Sequence, residues 1–148
     1  MNNKIKNATP TFYDGITFKS KLEVLIYKTF KENGFDIKYE PFKYVIWKGF
    51  KPTVPFYIAD KKTKILKEDN KKILDITYTP DIVIFYKTYM VFIEVKPTGF
   101  ANDVYPYKRK LFRKFLEDTD QTAYRPIFCQ IGSKKQALDF IKILKEYK

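Results

Sequence analysis

The sequence predicts a mixed α/β domain: an α+β mixed sheet flanked by helices, with the elements running α, several strands, α, β, α. Two observations carry that expectation. Apolar residues recur at helical spacing in three stretches, and between them lie short β-branched and aromatic runs, the composition of strands. A chain of 148 residues, 45% hydrophobic and 31% charged, has the size and balance of one globular domain with its own core.

In chain order, "MNNKIKNATPTF" is polar and without period, so residues 1–12 read as a flexible arm and 13–148 as the single domain. Leu22, Leu25, Ile26, Thr29 and Phe30 share one helix face, with Ser20 as the cap and Gly34 as the stop, which predicts a helix over about 20–33. "FDIKYEPFKYVIWKGF" reads as a strand from Ile37 to Trp47 interrupted at Pro41, and "TVPFYIAD" as a further extended piece. "KKTKILKEDNKK" has few apolar residues and reads as an exposed hairpin or loop, the best candidate for an insertion. Two strands follow from Asp75 to Lys96. A helix over about 105–117 places Leu111, Phe112, Phe115 and Leu116 on one side. "RPIFCQIG" is a short buried strand, and "SKKQALDFIKILKEYK" a closing helix with Ser133 and Gln136 spaced as a capping box.

Composition narrows the chemistry. There is no histidine, which argues against imidazole-based nucleases, hydrolase triads and most zinc sites. The lone Cys129, in "IFCQI", reads as a buried structural thiol. No apolar run is long enough for a membrane span and no secretory leader is visible, so the expected location is cytoplasmic. A net charge of +12, almost all of it lysine, points to a polyanionic partner, nucleic acid before a membrane surface; lysine-rich solubility is the plain alternative.

The most informative stretch is "YTPDIVIFYKTYMVFIEVKP", residues 78–97, where Asp81, Glu94 and Lys96 sit in an otherwise apolar strand pair. With a two-residue turn at Lys87-Thr88, Tyr86 opposes Tyr89 and Asp81 faces Glu94. Opposed side chains point to one face of a sheet, so the two carboxylates converge, and Lys96 lies on the same face. Repulsion and burial would raise their pKa values unless a cation intervenes. A hard divalent ion such as Mg2+, for which Mn2+ would substitute, binds through one or two carboxylates and keeps places for water and phosphate. The alternative is an ion pair between Lys96 and one carboxylate at the sheet end.

Pro80-Asp81, twelve residues, then Glu94-Val95-Lys96 resembles the signature of the PD-(D/E)xK nuclease superfamily. More narrowly, "DGITFKSKLEVLIYK", "YTPDIVI", "FIEVKP" and "YKRKLFRKF", in that order, are similar to small phage nucleases of the endonuclease I and Holliday junction resolvase type. The resemblance implies a restriction-endonuclease-like αβββαβ core with a C-terminal helix. It implies that Asp81 and Glu94 ligate the metal, that the Val95 carbonyl completes that side, and that Lys96 assists the attacking water. Glu23 matches the superfamily's helix carboxylate, a further metal or water ligand; as the fourth residue of Ser20-x-x-Glu23 it is equally placed to cap the helix.

Lys108 falls on the apolar side of its helix, where it would reach a scissile phosphate or snorkel from the core edge. Arg109, Lys110, Arg113 and Lys114 read as a solvent ridge suited to DNA phosphates. Tyr44, Trp47 and Phe50 would stack on unpaired bases or fill core, Asp75 is a spare carboxylate, and Glu40 a more distant one. The expected function is a Mg2+-dependent DNA endonuclease with 5′-phosphate products, acting on branched DNA such as a four-way junction, where a C2 homodimer would suit two cuts. The alternatives are a nucleic-acid-binding module with a vestigial site and a restriction-like or recombination exonuclease.

Overall fold

The computed structural model describes residues 8–97 and 104–148. The fold is mixed α+β, with three helices and several sheets among those residues. It opens with a hairpin of β1 (Thr11–Tyr13) and β2 (Ile16–Phe18). Asp14 and Gly15 turn it with φ of 54° and 74°, the positive values a type I′ turn needs. The hairpin begins two residues inside the stretch read as an arm; residues 1–7 lie outside the described residues.

Helix α1 (Lys21–Glu32) follows its Ser20 cap, whose hydroxyl accepts from the Glu23 amide, and the chain leaves it through Gly34 at φ 84°. Then come β3 (Asp36–Tyr39), β4 (Tyr44–Trp47), β5 (Tyr57–Ala59), β6 (Leu66–Glu68), β7 (Ile76–Tyr78), β8 (Ile82–Tyr86), β9 (Tyr89–Val95), α2 (Tyr105–Asp118), β10 (Arg125–Ile131) and α3 (Lys134–Glu146). The main sheet has the order β10-β9-β8-β3; β3, β8 and β9 pair antiparallel, and β9 with β10 parallel, a join that requires the crossover supplied by α2.

Alternation along β8 and β9 sorts the core into two faces. Ile82, Ile84, Val91 and Ile93 pack with Ile131 against α1 and α3, burying Ile26, Phe30, Phe140 and Leu144. Val83 and Phe92 point the other way, to Tyr78, Tyr105 and Phe112. Strands covered on both sides read as nearly continuous apolar runs, which is why "IVIF" and "MVFI" show so little alternation.

Two expected strands are broken. The piece read as Ile37–Trp47 is two strands in different sheets: β3 joins the main sheet and β4 pairs with β7. The break falls at Glu40, φ 44°, followed by Pro41, which has no amide to donate. The stretch from Asp75 likewise divides at Pro80 into β7 and β8, so Asp75 does not continue the parity of Asp81. The lysine-rich segment is an exposed hairpin, with β6 returning along β5. No helix among the described residues is long and apolar enough to cross a membrane.

Phe112 is the hub of the second core, with ring contacts to Tyr44, Tyr78, Phe92, Phe115 and Phe128. Phe112→Ala is expected to lower unfolding free energy by about 3–5 kcal/mol, measured by denaturant titration, because five rings cannot all close over the cavity it leaves.

Candidate functional site

The turn between β8 and β9 is Lys87-Thr88, and Tyr86 pairs with Tyr89 and Ile82 with Ile93. Lys87 takes the positive φ, 53°, that the first position of such a turn can require. The next pair outward is Asp81 with Glu94. Their side chains point to the α2 face, as the parity of Val83 and Phe92 dictates. Pro80 and Asp81 lead into β8, and there the Asp81 side chain extends the pairing: its Oδ2 accepts from the Val95 amide at 2.7 Å. Glu94 Oε2 accepts from the Tyr78 hydroxyl at 2.6 Å. Each carboxylate is held through one oxygen.

Burial raises the Asp81 carboxyl well above its ordinary value, and the charges of Glu94 and Glu23 push it the same way. Burial raises Glu94 too, against the pull of Tyr78 and Lys96. Each carboxyl therefore sits within the field of the other, and burial favours the neutral form of both. Lys96 is buried under the Tyr105 ring, its Nζ 4.6 Å from the centroid. That burial lowers its pKa, although Glu94 and Asp81 support its charge.

Glu23 reaches the same end of the sheet from α1, and it does not close a capping box. Ser20 caps the helix, but the Glu23 carboxylate does not return to the Ser20 amide; Oε2 accepts from the Lys19 amide at 3.1 Å and from the Tyr39 hydroxyl at 2.6 Å. Burial raises its pKa and its charge acts on both Asp81 and Glu94. Gln136 in α3 does the same with the Gly132 amide, so the reach beyond the cap is a local habit of both boxes.

Several participants escaped the sequence reading. Glu40, read as distant, lies in the cluster: its amide donates to the Asp81 carbonyl at 2.9 Å and its charge acts on Asp81 and Glu23. Lys19 Nζ stands 2.5 Å from Glu40 Oε1, a buried oxygen without a directed hydrogen bond among the described residues. The contact with Glu40 raises the Lys19 pKa, and Asp81 and Glu23 add to it. Asp75, the spare carboxylate, is exposed and accepts from the Gly49 amide at 2.7 Å, away from this cluster. A backbone bend with positive φ at Glu40 leaves no pattern in side-chain type, whereas Tyr39 and Tyr78 carry a signal in being aromatic hydroxyls at strand ends.

The basic helix divides differently from the expected ridge. Arg109 turns inward, donating to Gln130 Oε1 at 3.1 Å and lying 5.7 Å from the Tyr105 ring, and it is the α2 cation that acts on Lys96. Gln130 in turn donates to the Lys96 carbonyl at 3.3 Å. Lys108 is half-buried, and its amide bonds the Val104 carbonyl. Lys110, Arg113 and Lys114 are exposed, Lys114 being paired with Asp118. Tyr44 is core, packed on Phe92, Phe112 and Phe115, while Trp47 and Phe50 are exposed. Gly132 has its place because a Cβ there would stand 2.5 Å from Pro97 Cα and 2.9 Å from the Lys96 carbonyl oxygen. Burial pushes the Cys129 thiol up to about 11, which makes it a packing group.

Among the described residues no group of three or more Asp, Glu, Cys or His side chains is arranged as a metal cage. The Asp81–Glu94 pair nevertheless suits a hard cation by its chemistry, since two buried carboxyls whose charges oppose one another are what a positive ion would relieve. The sequence matches no protein-family model and no curated protein.

The raised Asp81 pKa fixes a stability signature. Folded Asp81 holds its proton above the ordinary 3.8, so its contribution is full at acid pH and is lost as pH rises through its raised folded value. Without divalent cations, Asp81→Asn should melt a few degrees above the native protein at pH 8, with the gap closing toward pH 4, by calorimetry. An equal gap at both pH values would show that Asp81 is not held protonated by the fold.

Proposed function

We propose that this chain is a metal-dependent nuclease of the PD-(D/E)xK type that hydrolyses DNA phosphodiesters. The observation that carries the reading is the convergence of Asp81 and Glu94 on one buried patch beside Lys96, at the end of a strand pair. The order of elements that build and flank the main sheet, α1-β3-β8-β9-α2-β10, supports the likeness to a restriction-endonuclease-like core.

Asp81 and Glu94, with the Val95 carbonyl, would hold Mg2+ or Mn2+, and that ion supplies charge neutralisation at the phosphate and a more acidic water. Lys96 contributes an ammonium to the phosphate oxygens, and its lowered pKa eases proton exchange with an attacking water. Tyr78 fixes the Glu94 carboxylate, and the Val95 amide fixes that of Asp81. Tyr105, Arg109 and Gln130 hold Lys96 in place through ring and carbonyl. Glu23 stands by as a further ligand or a water acceptor. Lys108, Lys110, Arg113 and Lys114 contribute positive charge to the DNA backbone contact. Branched DNA is the preferred substrate of this reading, cut by a homodimer that places two centres on one junction.

A second reading, a nucleic-acid-binding module with a vestigial centre, draws on the lack of a three-residue cage among the described residues. A cleavage panel with duplex, single-stranded, flap and four-way junction DNA in Mg2+ or Mn2+ separates the two; no cutting of any substrate selects the binding module. Under the nuclease reading, Asp81→Asn and Glu94→Gln each lower cleavage on the order of 1000-fold or more, and Lys96→Ala roughly 100-fold, while DNA binding at low salt persists. Mg2+ should also raise the melting temperature of the native protein and leave that of Asp81→Asn unmoved, a readout independent of catalysis.

A further inference from the structure

Beyond the β4–β7 pair the chain runs out into an arm. Phe50 bridges Ile73, and then β5 and β6 pair as Tyr57 with Glu68, Ile58 with Lys67 and Ala59 with Leu66. Every residue of both strands is exposed, so the ribbon is covered on neither face. A two-stranded hairpin with no third layer is marginal in water. This one also shows large apolar side chains to solvent, among them Val54 at 79% exposure, Leu66 at 69% and Phe56 at 58%. Apolar exposure on that scale marks a contact surface.

Charge identifies the occupant. Between Lys48 and Lys72 there are eight lysines against three acidic residues. Among the described residues only Lys67 of that set is ion-paired, to Asp60. Asp60 also organises the tip: its Oδ1 accepts from the Lys62 and Thr63 amides, at 2.9 and 3.0 Å, and Lys64 adopts φ 60°. The tip is therefore a fixed turn that carries Lys61, Lys62 and Lys64. A second copy of the chain would bring lysine against lysine, which costs free energy. A polyanion is attracted.

Shape narrows it to unpaired nucleotides. At the arm's root lies a cavity of about 550 Å3 lined by the apolar Phe50, Val54, Phe56 and Ile73 and by Lys51, Lys71 and Lys72 against the single carboxylate Asp69. Aromatic and apolar lining beside cations is what a base and its phosphate require, and stacking on exposed aromatics binds single strands without regard to sequence. The root is continuous with the candidate centre, because β7 carries Tyr78, the hydrogen-bond partner of Glu94.

We propose that the Phe50–Ile73 arm is a second nucleic-acid contact that takes an unpaired segment of the substrate, bases against Phe50, Phe56 and Tyr57 and phosphates along the lysines. The inference rests on the reading of the substrate as nucleic acid and extends it to single-stranded regions. It is tested on the full chain carrying Asp81→Asn, in EDTA, by anisotropy with labelled oligothymidylate of about 16 nucleotides and with a duplex of equal length. Two further variants are compared, Phe56→Ala with Tyr57→Ala, and Lys71→Gln with Lys72→Gln; all four side chains are exposed, so neither set disturbs a core. Each set should weaken oligothymidylate binding roughly tenfold and duplex binding less than about twofold. No loss, or equal loss on both ligands, overturns the inference. So does a dimer seen by sedimentation that the same variants dissociate, since a second copy then covers the arm. Because binding is read without metal or cutting, a chain that cleaves nothing yet shows the selective loss removes only the nuclease reading, and one that cleaves without it removes only the arm.

Discussion

The register of β8 against β9 is the constraint on which the candidate centre and both cores depend. Side chains alternate along a strand, so a slip of one residue would exchange the two faces entirely. Ile82, Ile84, Val91 and Ile93 would leave α1 and α3, and Asp81 and Glu94 would be driven into the opposite core. The turn at Lys87-Thr88 prevents this by fixing Tyr86 opposite Tyr89. At the far end the pairing is closed by a side chain, the Asp81 carboxyl accepting from the Val95 amide just beyond the last rung, Ile82 with Ile93. Apolar burial along the strands thus fixes where two unfavourable charges meet, and their meeting is not an accident of the surface.

The surrounding polar groups make that meeting tolerable. Tyr39, Tyr78 and the amides of Lys19 and Val95 each hold one oxygen of a carboxylate. Lys19 and Lys96 approach from opposite elements to supply positive charge. The pKa values of Glu23, Asp81 and Glu94 nevertheless stay raised, with burial the leading cause for each. A cluster optimised for stability alone would have lost a carboxylate; buried charge sets of this kind seldom improve on apolar packing.

How much of this was legible in the sequence follows from what each feature depends on. Helices α1, α2 and α3 rest on periodicity, with caps at α1 and α3, which is local, and their sequence boundaries lie within a residue or two of the structure. The turn and outer end of the β8–β9 hairpin do too, whereas its expected start at Asp75 falls before the break at Pro80. The facing of Asp81 and Glu94 followed from counting outward from one turn. What escaped was non-local or carried by backbone dihedrals. The break at Glu40 swings one aromatic stretch into two sheets and carries Glu40 into the cluster, and no side-chain pattern announces a positive φ at a glutamate. Asp75 would share the parity of Asp81 only in an unbroken strand, and the break between β7 and β8 at Pro80 removes that condition. Arg109 and its neighbours share a basic run, and only the position of Gln130 on β10 decides that Arg109 turns in. Asp14-Gly15 is of the other kind, a local Asp-Gly turn whose positive φ angles the residue types themselves favour.

Position relative to Lys96 separates the residues of α2 into two kinds of charge. Arg109 is tied to Gln130 and, through it, to the Lys96 carbonyl, so its guanidinium acts on the ammonium next to it and helps to lower that pKa. Removing it would release Lys96 toward its ordinary value and leave the exposed charge of Lys110 and Arg113 intact. Removing those exposed residues would do the reverse, weakening the long-range attraction for a polyanion without touching the lysine beside the carboxylates. Basic residues within one turn of each other therefore serve different ends, and the distinction arises from which of them β10 happens to meet.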